Sequence, residues 1–201
     1  MTDEGRIKFN CEWTKGPPIE NAAIAELNIW RRPLFDAALV GRYDDTGVGF
    51  GNMSMRSGSD VQFIITGTQT GYLADLTGAH YAEVTDYDIQ HNRVTCHGPV
   101  KASSESLTHA AIYELDPTIQ AIVHVHSDAL WQELRNKVPT TNSAVTYGTP
   151  GMAEEFRRLY RDTDFASSEI VVMGGHDGGL ISIGHDIAQA AQRFLEIATT
   201  A

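Results

Sequence analysis

The chain has 201 residues, 42% hydrophobic and 20% charged, the balance of a folded globular chain and not of a disordered one. Fifteen Lys and Arg against 26 Asp and Glu give a net charge of −11. That charge disfavours nucleic acid and anionic lipid as partners and confines any anionic ligand to a locally positive pocket. Two cysteines, Cys11 and Cys96, are too few for a disulfide scaffold. The polar start and the lack of an apolar run near ~20 residues predict no leader and no membrane span, hence a cytoplasmic protein.

The first predicted unit runs from Ile19 to about Arg42, led in by Pro17-Pro18, with Ile24, Leu27, Trp30 and Leu34 near one helical stripe. Pro33 removes a backbone donor, so a kink or break is predicted there, followed by a short helix over Asp36 to Val40. Residues 41–60 are turn-rich, but Gly49 to Arg56 alternates as a strand does. Val61 to Thr66 is β-branched and apolar, a strand that ends in the polar loop Thr66-Gly67-Thr68-Gln69-Thr70-Gly71. Two short strands are predicted around Ala82 to Val84 and Val94 to Cys96, separated by a turn over Asp88 to Asn92. Ser103-Ser104-Glu105 opens a helix with Leu107, Ala110, Ala111 and Leu115 inward, and Asp116-Pro117 stops it.

Ala121 to His126 reads as a strand and Met152 to Tyr160 as a helix. Ile170 to Met173 and Leu180 to Ile183 are strands around a glycine-rich turn. The last helix, Asp186 to Ala198, places Ile187, Ala190, Ala191, Phe194 and Leu195 on one face. Helices and strands interleave with no linker, repeat or low-complexity tract, which predicts one α/β domain over residues 1–201.

Chemistry is concentrated in the histidines. In Ile122-Val123-His124-Val125-His126 the two imidazoles share one face of a strand, and the valines fill the other. Two such rings on a buried strand need satisfaction, either from hydrogen bonds or from a divalent metal. His176, in Gly174-Gly175-His176-Asp177-Gly178-Gly179, follows an apolar strand and can supply a third ring. Three protein ligands leave a coordination position for substrate, as in catalytic zinc sites. By context His80, His91, His97 and His185 belong to the solvated surface. His109, one helical turn after Glu105, suits a buried hydrogen-bonded role.

Ser103-Ser104-Glu105 explains itself as a helix start, with serine capping and acidic charge in the first turn. The same start gathers amide donors that suit an anion. Beside a metal, Glu105 could also ligate it in the empty site and take the proton from a carbon next to a carbonyl.

Four stretches together resemble the class II aldolase/adducin family. They are Gly51-Asn52-Met53-Ser54-Met55-Arg56; Ile65-Thr66 with its loop; Ser103-Ser104-Glu105 with His109 and Tyr113; and His124-Val125-His126 with His176. The resemblance implies a three-layer α/β/α sandwich with a central, mostly antiparallel sheet. His124, His126 and His176 would be ligands of a divalent metal, normally zinc. Glu105 would be the acid/base and a possible fourth ligand, with Asn52, Thr66, Gly67, Ser103 and Ser104 holding a substrate phosphate. The usual assembly is a cyclic homotetramer with sites between subunits.

This chain departs from the family pattern in three places. The loop after Thr66 is one residue longer than the family's Thr-Pro-Thr-Gly, which opens the way to an unphosphorylated substrate. Asp177 follows the third histidine, where glycine is usual. The Trp131 to Gly148 segment is shorter and lacks the tyrosine that serves as proton donor in the sugar-phosphate aldolases; Tyr147 is the nearest tyrosine.

The reading implied is an aldolase-type lyase of carbohydrate metabolism that cleaves a small hydroxylated carbonyl compound, a sugar phosphate or sugar-derived acid, through a metal-stabilised enediolate. Epimerase, dehydratase or decarboxylase chemistry on the same site, or a non-enzymatic adducin-like module, are the alternatives.

Overall fold

The computed structural model describes residues 5–58 and 61–200. Its main sheet has eight strands. In spatial order they are β1 (Asn10–Lys15), β7 (Arg93–Gly98), β6 (Tyr81–Asp88), β5 (Phe63–Thr66), β4 (Asn52–Arg56), β8 (Ala121–His126), β10 (Gly179–Gly184) and β9 (Ile170–Val172). All neighbours run antiparallel except β1 and β7, which are parallel. A two-stranded ribbon, β2 (Gly41–Arg42) with β3 (Gly49–Phe50), stands apart from this sheet. The sheet is thus mixed, α/β and mostly antiparallel.

The side-chain alternation of the strands builds two apolar clusters. Phe63, Ile65, Ile122 and Ile181 join one with Leu107, Ala111 and Phe156, from α2 (Ser106–Tyr113) and α4 (Pro150–Asp162). Ile64, Ala121, Val123, Val125 and Leu180 join the other with Ile24, Leu27, Ala191 and Phe194, from α1 (Asn21–Asp36) and α6 (Ile187–Thr200). A period of two along each strand sends successive residues to opposite faces, so β8 contributes to both clusters. Among the described residues no helix is long and apolar enough to cross a membrane. Cys11 and Cys96 are free thiols with sulfurs 3.9 Å apart.

Several elements differ from their sequence-based expectation. Helix α1 passes through Pro33 and ends at Asp36, and the next residues turn instead of forming a second helix. The backbone bond that Pro33 forfeits would have ended on Ile29, whose side chain is 64% exposed, so that carbonyl lies on a side open to water. The strand expected over Gly49 to Arg56 is split at Gly51, which has φ +77 and lies so close to Val40 that a side chain would collide. Helix α2 starts at Ser106, after the Ser-Ser-Glu run, because Ser106 N–H already donates to the Ser103 carbonyl as a turn. Strand β1 and α3 (Asp128–Leu134) have no strong periodicity; the Ser127 hydroxyl caps α3 by accepting from Leu130 N–H at 3.3 Å.

Arg31 on α1 is 2% exposed. Its guanidinium donates to the carbonyls of Ala74 (3.0 Å), Thr70 (3.2 Å) and Gly71 (3.1 Å). Desolvation lowers its affinity for the proton, yet a guanidinium keeps its charge, and three carbonyl dipoles offset the lost water. Arg31→Met keeps the stem and strands these carbonyls. It should lower unfolding stability by about 3 kcal/mol, read as a reduced midpoint in urea.

Candidate functional site

The centre of the site lies on β8, which is flanked by β4 and β10. His124 pairs in register with Asn52 on one side and Ile181 on the other, and His126 with Gly179. Both rings lie on the same face of the strand as Ile122. His124 Nε2 and His126 Nε2 are 3.1 Å apart.

The third ring comes from the turn between β9 and β10. Met173 N–H donates to the Gly179 carbonyl, and Gly179 N–H to the His176 carbonyl, so the turn closes on itself. A Cβ at Gly179 would stand 2.5 Å from His176 Cδ2, and one at Gly175 would meet the Val145 carbonyl oxygen at 2.0 Å. These glycines let the turn fold His176 back over β8. His176 Nε2 then lies 3.1 Å from His126 Nε2, and the ligand atoms of the three rings lie within 4.8 Å of one another.

Glu105 enters from the start of α2. Its Oε1 is 3.5 Å from His176 Nε2 and 4.0 Å from His124 Nε2. All four side chains are 5% exposed or less. A carboxylate and three imidazoles withdrawn from water together carry a large desolvation cost, which a shared cation offsets.

Protonation states follow from the same burial. Desolvation lowers the pKa of His124 to about 4, against a weaker upward pull from its bond to the Leu180 carbonyl. His126 and His176 lie well below the ordinary histidine range, first from burial and then from neighbouring imidazoles. The rings are therefore neutral at pH 7. His124 Nδ1 is 3.0 Å from the Leu180 carbonyl and must carry the proton there, which leaves the Nε2 lone pair aimed into the cluster. Tyr43 Oη holds His126 from behind, 2.8 Å from Nδ1. Converging neutral imidazoles of fixed orientation fit zinc, which bonds histidine nitrogen at about 2.0–2.1 Å.

Two openings flank the cluster. One is a cleft of about 610 Å³ lined by Lys8, Tyr43, Trp131, Arg135, Tyr147 and Asp177, with His176 at its edge. Asp177 is exposed, and only its backbone engages His126. Tyr147 is 3% exposed, and its ring stacks tilted on His176 at 4.4 Å. Its phenol accepts from Arg6 N–H at 3.1 Å and donates to the Arg6 carbonyl at 3.3 Å.

The second opening is a small polar pocket. Asn52, Gly67, Ser103 and Ser104 all line it. Asn52 is 6% exposed, and its Oδ1 is buried without a hydrogen-bond partner among the described residues. Thr66 is not on this wall; its hydroxyl accepts from Met53 N–H at 3.2 Å and so joins β5 to β4.

The remaining histidines divide as their contexts predict, with a correction of degree. His91 and His185 are exposed, while His80 and His97 are half-buried. His80 Nδ1 accepts from Thr77 N–H at 3.0 Å in a capping box. His109 is fully buried; its Nδ1 is 2.7 Å from Ser54 Oγ, which in turn is 2.8 Å from Tyr113 Oη. Tyr43 carried no signal in the sequence, because a tyrosine in a turn-rich stretch of 20 residues could face anywhere.

Two outcomes are expected from this geometry. Tyr43→Phe removes the oxygen behind His126 and should weaken zinc binding by about tenfold, measured by competition with a chromophoric chelator, with the melting point of the metal-free protein little changed. For the metal-free protein, the depressed histidine pKa values mean that the unfolded chain binds more protons once pH falls below about 6.5. Stability from this source is therefore complete above that pH and is lost progressively toward pH 4. Melting temperature measured from pH 7.5 to 4 should fall over that window, and zinc should flatten the upper part of the decline.

The fold recurs in solved structures. YgbL from Klebsiella pneumoniae, provisionally assigned as an aldolase/epimerase/decarboxylase, is 22% identical with a TM-score of 0.65, covering 90% of this chain and 86% of that one. A sugar-phosphate aldolase from Thermotoga maritima is 17% identical with a TM-score of 0.65, over 89% and 91%. An L-fuculose 1-phosphate aldolase is 16% identical with a TM-score of 0.65, over 91% and 85%. At these identities the likeness is one of fold. A search of curated protein sequences finds no match. The model of the class II aldolase and adducin N-terminal domain matches residues 37–201, and with the shared fold this places the chain in the class II aldolase/adducin family.

Proposed function

We propose that the protein is a metal-dependent aldolase-type lyase acting on a small hydroxylated carbonyl compound. In this reading His124, His126 and His176 hold a divalent cation, zinc by the nature of three imidazole donors, and Glu105 is the acid/base. The observation that carries it is the convergence of three buried Nε2 atoms, two of the contacts at 3.1 Å, with a carboxylate oxygen 3.5 Å from one of them. A bound divalent cation supplies Lewis acidity that polarises the substrate's carbonyl and adjacent hydroxyl oxygens.

The rest is the work of the chain's own groups. Glu105 Oε1 faces the cluster, so a carbon next to the polarised carbonyl comes within its reach. In the cleavage direction the hydroxyl on the far side of the breaking bond gives up its proton to Glu105 as its carbon becomes a carbonyl; the electron pair of the broken carbon–carbon bond passes to the carbon next to the polarised carbonyl, and Glu105 returns the proton there. Its burial keeps bulk water from competing for the proton. Asn52, Ser103 and Ser104 offer an amide and two hydroxyls beside Glu105 and orient the polar end of the substrate; the Gly67 backbone completes this wall. Tyr43 fixes the plane of His126. The same reading takes residues 1–201 as one domain with helices layered on both faces of the sheet, supported by the two apolar clusters. A cyclic homotetramer belongs to the proposal through the family.

Zinc-loaded protein incubated with ketose phosphates and free hydroxy-keto acids should release two carbonyl fragments from one of them. Glu105→Gln should reduce turnover by about 10²–10⁴-fold and leave zinc stoichiometry unchanged by atomic emission. Wild-type turnover in this variant would remove Glu105 from the mechanism. Solvent proton exchange without fragments would favour epimerisation instead.

A further inference from the structure

The two openings beside the cluster differ greatly in size. The cleft on the His176 side has about 610 Å³. The polar pocket on the Ser103 side has about 20 Å³, room for about one water. A phosphate group is several times larger. Its wall is held by Gln69, whose side-chain Oε1 accepts from Gly49 N–H at 2.9 Å and whose Nε2 donates to the Gly5 carbonyl at 3.2 Å. This one amide straps the loop after β5 to both the β3 strand and the N-terminal segment.

The strap sits on a fixed loop. Gly67 N–H donates to the His80 carbonyl at 2.8 Å, and Thr68 N–H to the Lys101 carbonyl at 2.9 Å. Thr70 Oγ1 donates to the Gly67 carbonyl at 2.8 Å. The Arg31 guanidinium holds the Thr70 and Gly71 carbonyls from beneath. Gly71 approaches so closely that a Cβ there would meet the Gly41 carbonyl oxygen at 2.3 Å. A loop bound on each side does not swing away to admit a larger group.

We propose that Gln69 is a specificity-determining residue that closes the polar pocket to phosphate. The substrate is then an unphosphorylated hydroxy-carbonyl compound, a free sugar derivative or sugar-derived acid, whose bulk lies in the cleft on the His176 side. Lys8 and Arg135 line that cleft together with Asp128 and Asp177, so it offers charged and polar groups of both signs to a hydroxylated substrate. The inference rests on the metal-dependent reading of the same site.

Gln69 has φ +60, a backbone conformation in which glycine is at ease, so Gln69→Gly removes the strap without backbone strain. Dihydroxyacetone and dihydroxyacetone phosphate differ only in the phosphate. Their binding to the zinc-loaded protein should be compared by NMR titration in wild type and Q69G. In wild type the phosphate should bring no gain in affinity. In Q69G the ester should bind at least tenfold more tightly than in wild type, with dihydroxyacetone unchanged. A wild-type preference of tenfold or more for the ester overturns the proposal, as does an affinity ratio that Q69G leaves unchanged, absence of binding in both included. Zinc stoichiometry, measured on the same samples, reports separately on the metal-dependent reading: protein that binds no zinc fails that reading, whatever the two ligands do.

Discussion

Three imidazoles and a carboxylate, groups that water solvates well, are packed where water does not reach. His124, His126, His176 and Glu105 are all 5% exposed or less. Burial makes the rings neutral, and neutrality turns each into a lone-pair donor. The Leu180 carbonyl and the Tyr43 hydroxyl stand behind two of them, so the donors have direction as well as basicity. Without a cation this cluster is a local weakness of the fold; a cation that binds only the folded state stabilises it by mass action.

Rigid scaffolding makes that concentration of polarity tolerable. Strand β8 is hydrogen-bonded on both sides, and its alternate residues are committed to the α1/α6 cluster, so His124 and His126 have only one direction to face. The short segment between Trp131 and Gly148 has a structural task of its own. Gly174 and Gly175 nest against the Thr141 and Val145 carbonyls, which seats the turn that carries His176. Tyr147 stacks on the same ring. The segment thus packs directly on the turn that carries His176 and walls the open cleft.

A buried arginine plays the corresponding part on the other side. Arg31 lies on α1, remote in sequence from the histidines, but its three carbonyl partners fix the loop that borders the polar pocket. Family membership accounts for the fold; the loop from Gly67 to Gly71 and the cleft lined by Lys8 and Arg135 border the histidine cluster from two sides.

The sequence by itself determined the mixed α/β class, most of the strands and the histidine pair. A period of two in Ile122 to His126 fixes which residues share a face, whatever the fold around them. It also pointed to His176, because glycines around a histidine after an apolar strand imply close backbone approach. Local patterns carried less at Pro33, where the helix continues because the forfeited bond falls on an open side, and at Asn10–Lys15, a strand that exists through pairing with β7. Only the tertiary structure could bring Tyr43 behind His126, Arg31 beneath Thr70, and Gln69 between Gly49 and Gly5. These contacts join residues 20 to 83 positions apart, or a loop to the chain's start. No periodicity encodes such meetings, since they follow from how helices, strands and loops distant in sequence are brought side by side in the fold.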